Sequence, residues 1–147
     1  MKFELDIKTI QDNVRILTQQ LTDLARKEVA AGVPETAPAK DGISQAYIAA
    51  IHEFGSPKNN IPKRSILDST LDENLDKYAN ILTNEMNGNL VKGSFIPSLK
   101  KLAIVVQNDV LAKFTNNNWE SLKHRDGNPL IDTGELRQSI RGIVRNK

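Results

Sequence analysis

Pro129-Leu130-Ile131-Asp132-Thr133-Gly134-Glu135-Leu136-Arg137-Gln138-Ser139-Ile140-Arg141 is the stretch on which the reading of this chain turns. As chemistry, an apolar pair followed by Asp-Thr-Gly is the active-site loop of an aspartic protease. As architecture, the same Asp and Thr cap a turn, and Gly134 takes a positive φ ahead of a closing element. A protease needs a second such loop, or a symmetric partner chain, in a β-rich frame where two carboxylates share one proton. Only fifteen residues follow Asp132, and two helical patterns precede it. The material for a cleft is missing, so the loop is read as architecture.

Working outward, Gln138 to Val144 reads as a closing strand with Ile140 and Val144 inward. Upstream, Trp119 to Asn128 is polar and irregular, and Thr115-Asn116-Asn117-Asn118 breaks a helix. That helix runs from about Pro97 to Phe114, with Leu99, Leu102, Ala103, Val106, Val110 and Phe114 aligned; proline is tolerated in its first turn. Another runs from Ser69 or Leu71 to Met86, with Leu71, Leu75, Tyr78, Leu82 and Met86 on one face, and Asn87-Gly88 ends it. Ile61 to Leu67 is extended at its start, because Pro62 disfavours helix at Ile61. Lys58-Asn59-Asn60 forms a turn. Ser44 caps a short helix from Gln45 to Glu53, with Tyr47, Ile48, Ile51 and Phe54 inward and Gly55 at its C-terminal stop. Pro34 to Gly42 is a polar, mobile loop, and Lys27 to Val33 is a strand with Val29, Ala31 and Val33 on one face.

The N-terminal segment is the most periodic. Ile10, Val14, Leu17, Leu21 and Leu24 fall on one stripe of a helix from about Ile7 to Arg26. Its 4-3-4-3 spacing is also a short coiled-coil seam, and two covers compete: the body of the same domain, or a neighbouring subunit. The element order α-β-α-β-α-α-β predicts an α+β fold in a single domain, residues 1–147. It has a small antiparallel sheet packed by several helices and a long N-terminal amphipathic helix.

Bulk properties narrow the function classes. With 39% hydrophobic and 26% charged residues, the chain has the composition of a globular domain. No apolar run reaches the roughly 18–20 residues of a membrane span, and early acids make the N-terminus unlike a secretory signal. Cysteine is absent, which excludes disulfides and thiolate metal sites. Net charge is +2, but residues 1–88 hold ten basic and thirteen acidic side chains, and residues 89–147 hold ten and five. The basic C-terminal half opens an alternative function, a small nucleic-acid-binding protein, although no Lys/Arg block with aromatic interleaving supports it.

Catalytic motifs fail one by one. His52-Glu53 starts like HExxH, but Ser56 occupies the position of the second histidine and His124 is distant. His52, near a helix end, is expected to favour its protonated form through the helix dipole. No Gly-rich phosphate loop and no nucleophile–histidine–acid set can be drawn. The expectation is a chain that is not an enzyme, with no catalytic, cofactor or metal site. Lys63-Arg64 is expected on an exposed strand, guarding an edge.

Three blocks taken in order are more specific than any one alone. They are Ile48-Ala49-Ala50-Ile51-His52-Glu53-Phe54-Gly55, then Ile61-Pro62-Lys63-Arg64-Ser65-Ile66-Leu67, then Pro129 to Ile140. The trio resembles the tail-component and virion-morphogenesis proteins of tailed bacteriophages, the neck or tail-completion group. Ser65-Ile66 departs from the Pro-Phe that many members carry there. The resemblance implies a non-enzymatic virion part made in the bacterial host cytoplasm and placed in the tail or neck. It also implies self-assembly into a ring and contact with other neck or tail proteins, with no membrane and no specific nucleic-acid ligand. Glu53-Phe54-Gly55 would then end a helix, Arg64 would hold a fixed carboxylate pair, and Asp132-Thr133-Gly134 would turn the chain into its last strand.

Overall fold

The computed structural model describes residues 6–37, 39–90, 93–116, 119 and 134–147, with Lys40 described through its backbone alone. Helix α1 spans Ile7–Ala25 and is opened by Asp6, whose carboxylate accepts from the Lys8 amide at 3.1 Å. Strand β1 (Lys27–Gly32) follows almost at once. The segment expected as a mobile loop instead carries a small hairpin, β2 (Ala39–Lys40) paired antiparallel with β3 (Ile43–Ser44). Its tight turn is made by Asp41 and Gly42, both at positive φ. Helix α2 (Gln45–Phe54) starts where Ser44 Oγ accepts from the Tyr47 amide at 3.1 Å, as the capping pattern predicts. A 3-10 turn at Pro57–Asn59 leads to helix α3 (Leu67–Asn89), which forms a hairpin with α4 (Ile96–Asn116). The chain closes with α5 (Glu135–Ser139) and β4 (Arg141–Asn146).

β1 and β4 pair antiparallel, with Val29 opposite Val144 and Gly32 opposite Arg141, so the two ends of the chain make the main sheet. Helix α4 lies across both strands and against α3. Its face is the centre of the core: Leu99, Leu102, Ala103, Val106, Val110 and Phe114 are all buried, as the periodicity predicts. Val29, Ala31 and Val33 pack on this core from β1 and its extension. The result is the expected α+β arrangement, a small antiparallel sheet under several helices. Among the described residues, no helix is long and apolar enough to cross a membrane.

Several expectations need correction. Gln138–Ser139 belong to α5, and Ile140 is buried at that helix's end, so the closing strand begins only at Arg141. Helix α3 is longer than predicted and rotated. It buries Thr70 and Tyr78, while Leu71 and Leu75 keep 41% and 59% of their surface. Thr70 can be buried because its hydroxyl donates back to the Ile66 carbonyl at 2.6 Å, leaving no polar group unpaired. Helix α2 is also turned: Tyr47 and Phe54 face outward and Gln45 and Glu53 inward. Trp119, expected in a polar stretch, packs on the core. Residues 117–118 and 120–133, including His124, Asp132 and Thr133, lie outside the described residues. Gly134 does adopt φ 79°, as the turn reading requires, but it leads into a helix.

Candidate functional site

The three sequence blocks, far apart in the chain, meet at one place. Ala49 and Glu53 from the first, Ile66 and Leu67 from the second, and Leu136 and Ile140 from the third surround a tight space closed by Phe114 of α4. Glu53 is the pivot. Its carboxylate accepts from Ser65 Oγ at 2.6 Å and from the amides of Ile66, Leu67 and Asp68 at 2.8, 2.9 and 3.0 Å. These amides belong to the open first turn of α3, whose own cap residue Ile66 has no side chain able to serve them. A carboxylate from α2 thus does the work of an N-cap across space, with its charge against the positive end of the α3 dipole. Burial pushes the Glu53 carboxyl up, but its four hydrogen bonds outweigh that and hold it below the ordinary value of 4.5.

This clasp explains why Ile61–Leu67 makes no sheet. The Arg64 amide donates to the His52 carbonyl at 2.7 Å, and the next available amides go to Glu53. Those donors are spent on the end of α2, and only the single bridge between Ser56 and Ile61 remains. Arg64 is buried at 5% exposure, so it is no edge guard; Lys63 beside it is exposed. His52 is partly buried, and burial first, then the Arg64 charge, hold its pKa below 6.5. The expected help from the helix dipole is overridden.

Gly55 ends α2 by donating its amide to the Ile51 carbonyl at 2.7 Å, at φ 75° and ψ 170°. That region is almost closed to other residues, and a Cβ here would sit 2.9 Å from the Lys63 amide nitrogen. Gly55→Ala should therefore lower stability by about 2 kcal/mol, read as a shift in the urea midpoint; a change under a quarter of that would refute the close-approach argument.

Part of the charge asymmetry of the sequence is met by ion pairs between the two halves. Lys113 pairs with Glu73 at 2.5 Å, Arg145 with Glu28 at 2.6 Å, and Lys101 with Glu85, each joining a cation of the C-terminal half to an acid of the N-terminal half. Lys77 and Asp109 pair in the opposite sense at 2.7 Å. Three of the ten cations of residues 89–147 are thus held beside carboxylates. Binding of duplex DNA should stay weaker than about 100 μM at physiological salt, the weak end of non-specific association. A tight, salt-dependent complex by fluorescence anisotropy would reverse that view.

An open cavity of about 500 Å³ lies beside the 34–39 segment, where Gln45, Glu135, Gln138 and Arg141 face Pro34 and Thr36. Gln45 donates to Glu135 across it at 3.5 Å. Among the described residues, no group of three or more histidine, cysteine, aspartate or glutamate side chains is placed to hold a metal.

The most conspicuous surface is α1. Ile7, Ile10, Val14, Leu17 and Leu21 keep 71, 41, 58, 37 and 49% of their surface, although they form one stripe. The helix is held mainly by its C-terminal part. Gln20 is buried, and with its amide oriented to satisfy both ends it donates to the Leu90 carbonyl at 3.2 Å and accepts from Gly93 at 2.8 Å and Ser94 at 3.1 Å. Among the described residues, the body of the same chain leaves much of this stripe open. Covering the exposed half of each stripe residue contributes on the order of 1 kcal/mol. Association itself costs about 4–15 kcal/mol. Five such residues give about 5 kcal/mol, and two stripes covering each other about 10, so a contact built on this stripe alone is weak. Tyr47 and Phe54, at 60% and 72% exposure, form a second apolar surface on α2.

No family model matches the chain, and no curated protein or solved structure matches it.

Proposed function

We propose that the chain is a structural virion protein of a tailed bacteriophage, acting in head-to-tail joining or tail completion by assembly and without chemistry on a substrate. One observation carries this reading. The three blocks that resemble the neck and tail-completion proteins converge on a single packed junction, where Glu53 bonds the first block to the second and Leu136 and Ile140 of the third pack beside them. Blocks that meet to pack and hydrogen-bond with one another serve folding, which is what a building block requires. A catalyst would instead group polar side chains around an open space.

The exposed apolar surface of Tyr47 and Phe54 on α2 supports an assembling subunit, and the α1 stripe is a separate contact surface. A monomer that works alone gains nothing from leaving a helical stripe in water. On the particle, the partners are further copies of the chain, arranged as a ring, and adjoining neck or tail proteins. A ring needs contacts between two different patches on each subunit.

The test is location. Particles banded by density from lysing cells that carry the gene should contain the chain in a fixed, low copy number relative to the main capsid protein. Antibody label should sit at the neck or tail end. Particles complete in every other protein but free of this chain would defeat the proposal, as would peptide or nucleic-acid cleavage by the purified protein.

A further inference from the structure

We infer that the exposed stripe of α1 is a self-recognition seam: it packs against the same stripe of a second copy, centred on Val14. The sequence register makes the case. With Ile7, Val14 and Leu21 as one set of seam positions and Ile10, Leu17 and Leu24 as the other, the residues flanking the seam are Gln11, Thr18, Ala25 and Asn13, while Gln20 is turned into its own body. None is charged. The charges within α1, on Lys8, Asp12, Arg15 and Asp23, all fall on the outer positions.

A seam meant for a different partner would carry flanking charges to select it. Neutral flanks instead remove the like-charge repulsion that identical helices would suffer side by side. The seam positions are mixed: Ile7 and Val14 share one set with Leu21, and Ile10 shares the other with Leu17 and Leu24. Gln20 and the partly covered Leu24 hold the helix to its own body, so the stripe from Ile7 to Leu21 is what remains for the second copy. It spans about 21 Å at the helical rise, roughly four turns.

Such a contact is isologous and closes after two copies. It therefore does not build the proposed ring, which would use other surfaces such as Tyr47 and Phe54, and it stands or falls independently of the phage reading.

The absence of cysteine gives a clean test. Val14 is the midpoint of the exposed stripe, so two copies of it meet whether the helices run parallel or antiparallel. The full-length chain carrying Val14→Cys should form a disulfide-linked dimer under mild oxidation at about 100 μM, the weak range expected of so short a seam. Wild type should sediment with a concentration-dependent dimer over the same range. Leu17→Glu should raise the dissociation constant at least tenfold while leaving helix content and thermal midpoint close to wild type. A Val14→Cys chain that stays a free thiol overturns the proposal, even if larger species form, because those would be joined elsewhere. So does a wild type that remains monomeric throughout, or a Leu17→Glu chain that is folded and still dimeric.

Discussion

Gly142→Ala should lower the unfolding free energy by about 4 kcal/mol, the largest loss expected from any conservative exchange in the chain. A Cβ at position 142 would lie 2.1 Å from the Ala103 carbonyl oxygen, 2.9 Å from its carbon and 3.1 Å from Gln107 Cβ. The first two are backbone atoms of a buried helix, so no rotamer change relieves them. Either β4 lifts off α4 or the helix shifts, and both break the packing that joins the sheet to the core. Overpacking costs typically 1–3 kcal/mol, more when backbone must move. The Gly142 amide also donates to Gln107 Oε1 at 2.7 Å, a bond that any lift would lengthen and that adds about 1 kcal/mol.

The thermal midpoint should fall by roughly 10 °C on this scale for a domain of this size. Gly32→Ala supplies the control. It lies in β1 opposite Arg141, and its added methyl would meet only Leu67 Cδ1 at 4.0 Å. That exchange should be neutral or stabilising by up to about 0.5 kcal/mol, through the unfolded chain. Equal effects at the two glycines would show that strand propensity, and not the approach of α4, governs position 142.

Gly142 also marks the limit of what periodicity can reveal. A glycine inside a strand pattern signals that something approaches closely, but only the fold names Ala103 as the neighbour. Helix α4 was fully legible because its six aligned apolar residues sit at the centre of the core, where apolar-inward is the only force at work. The extent of α1 was legible too, since helix formation depends on local pattern and the Asp6 cap. Its cover was not, because a stripe looks the same whether it faces its own core or another molecule.

Helix α2 shows the opposite failure. Apolar patterning points Tyr47 and Phe54 inward, yet the buried face carries Glu53 and Gln45. A carboxylate goes inside only where enough donors await it, and those donors arise from the first turn of α3, twelve to fifteen residues on. No local window contains that information. The same long-range bonding removed the expected strand at Ile61–Leu67. The three blocks could be read in order along the chain; that they touch could not.

Glu53→Gln should cost about 3 kcal/mol at neutral pH, the value of one to two hydrogen bonds to a charged group. The exchange keeps shape and burial but replaces one acceptor oxygen with an NH2 group. Each carboxylate oxygen now serves two donors: Oε2 takes the amides of Ile66 and Leu67, and Oε1 takes Ser65 Oγ and the Asp68 amide. With the NH2 group toward Ile66 and Leu67, both amides face a donor; turned the other way, Ser65 can reverse to accept from it, but the Asp68 amide still faces a donor, in a place water reaches poorly. The charge opposite the α3 dipole is lost as well.

The pH dependence follows from the direction of the Glu53 shift. Its carboxyl lies below 4.5 in the folded chain and returns to that value on unfolding, so the unfolded state binds the proton more readily. The contribution is therefore complete above about pH 5.5, a unit over the unfolded value, and fades as pH falls through 4.5 and below the folded value. Glutamine has no proton to take at position 53. The stability gap between wild type and Glu53→Gln should thus narrow in acid, by less than its full size, because burial opposes the hydrogen bonds and keeps the shift modest. Urea midpoints at about pH 7 and about pH 3.5 measure it. A gap that stays constant across that range, or one under about 1 kcal/mol at neutrality, would mean that α3 is held by its packing on α4 and the carboxylate clasp adds little.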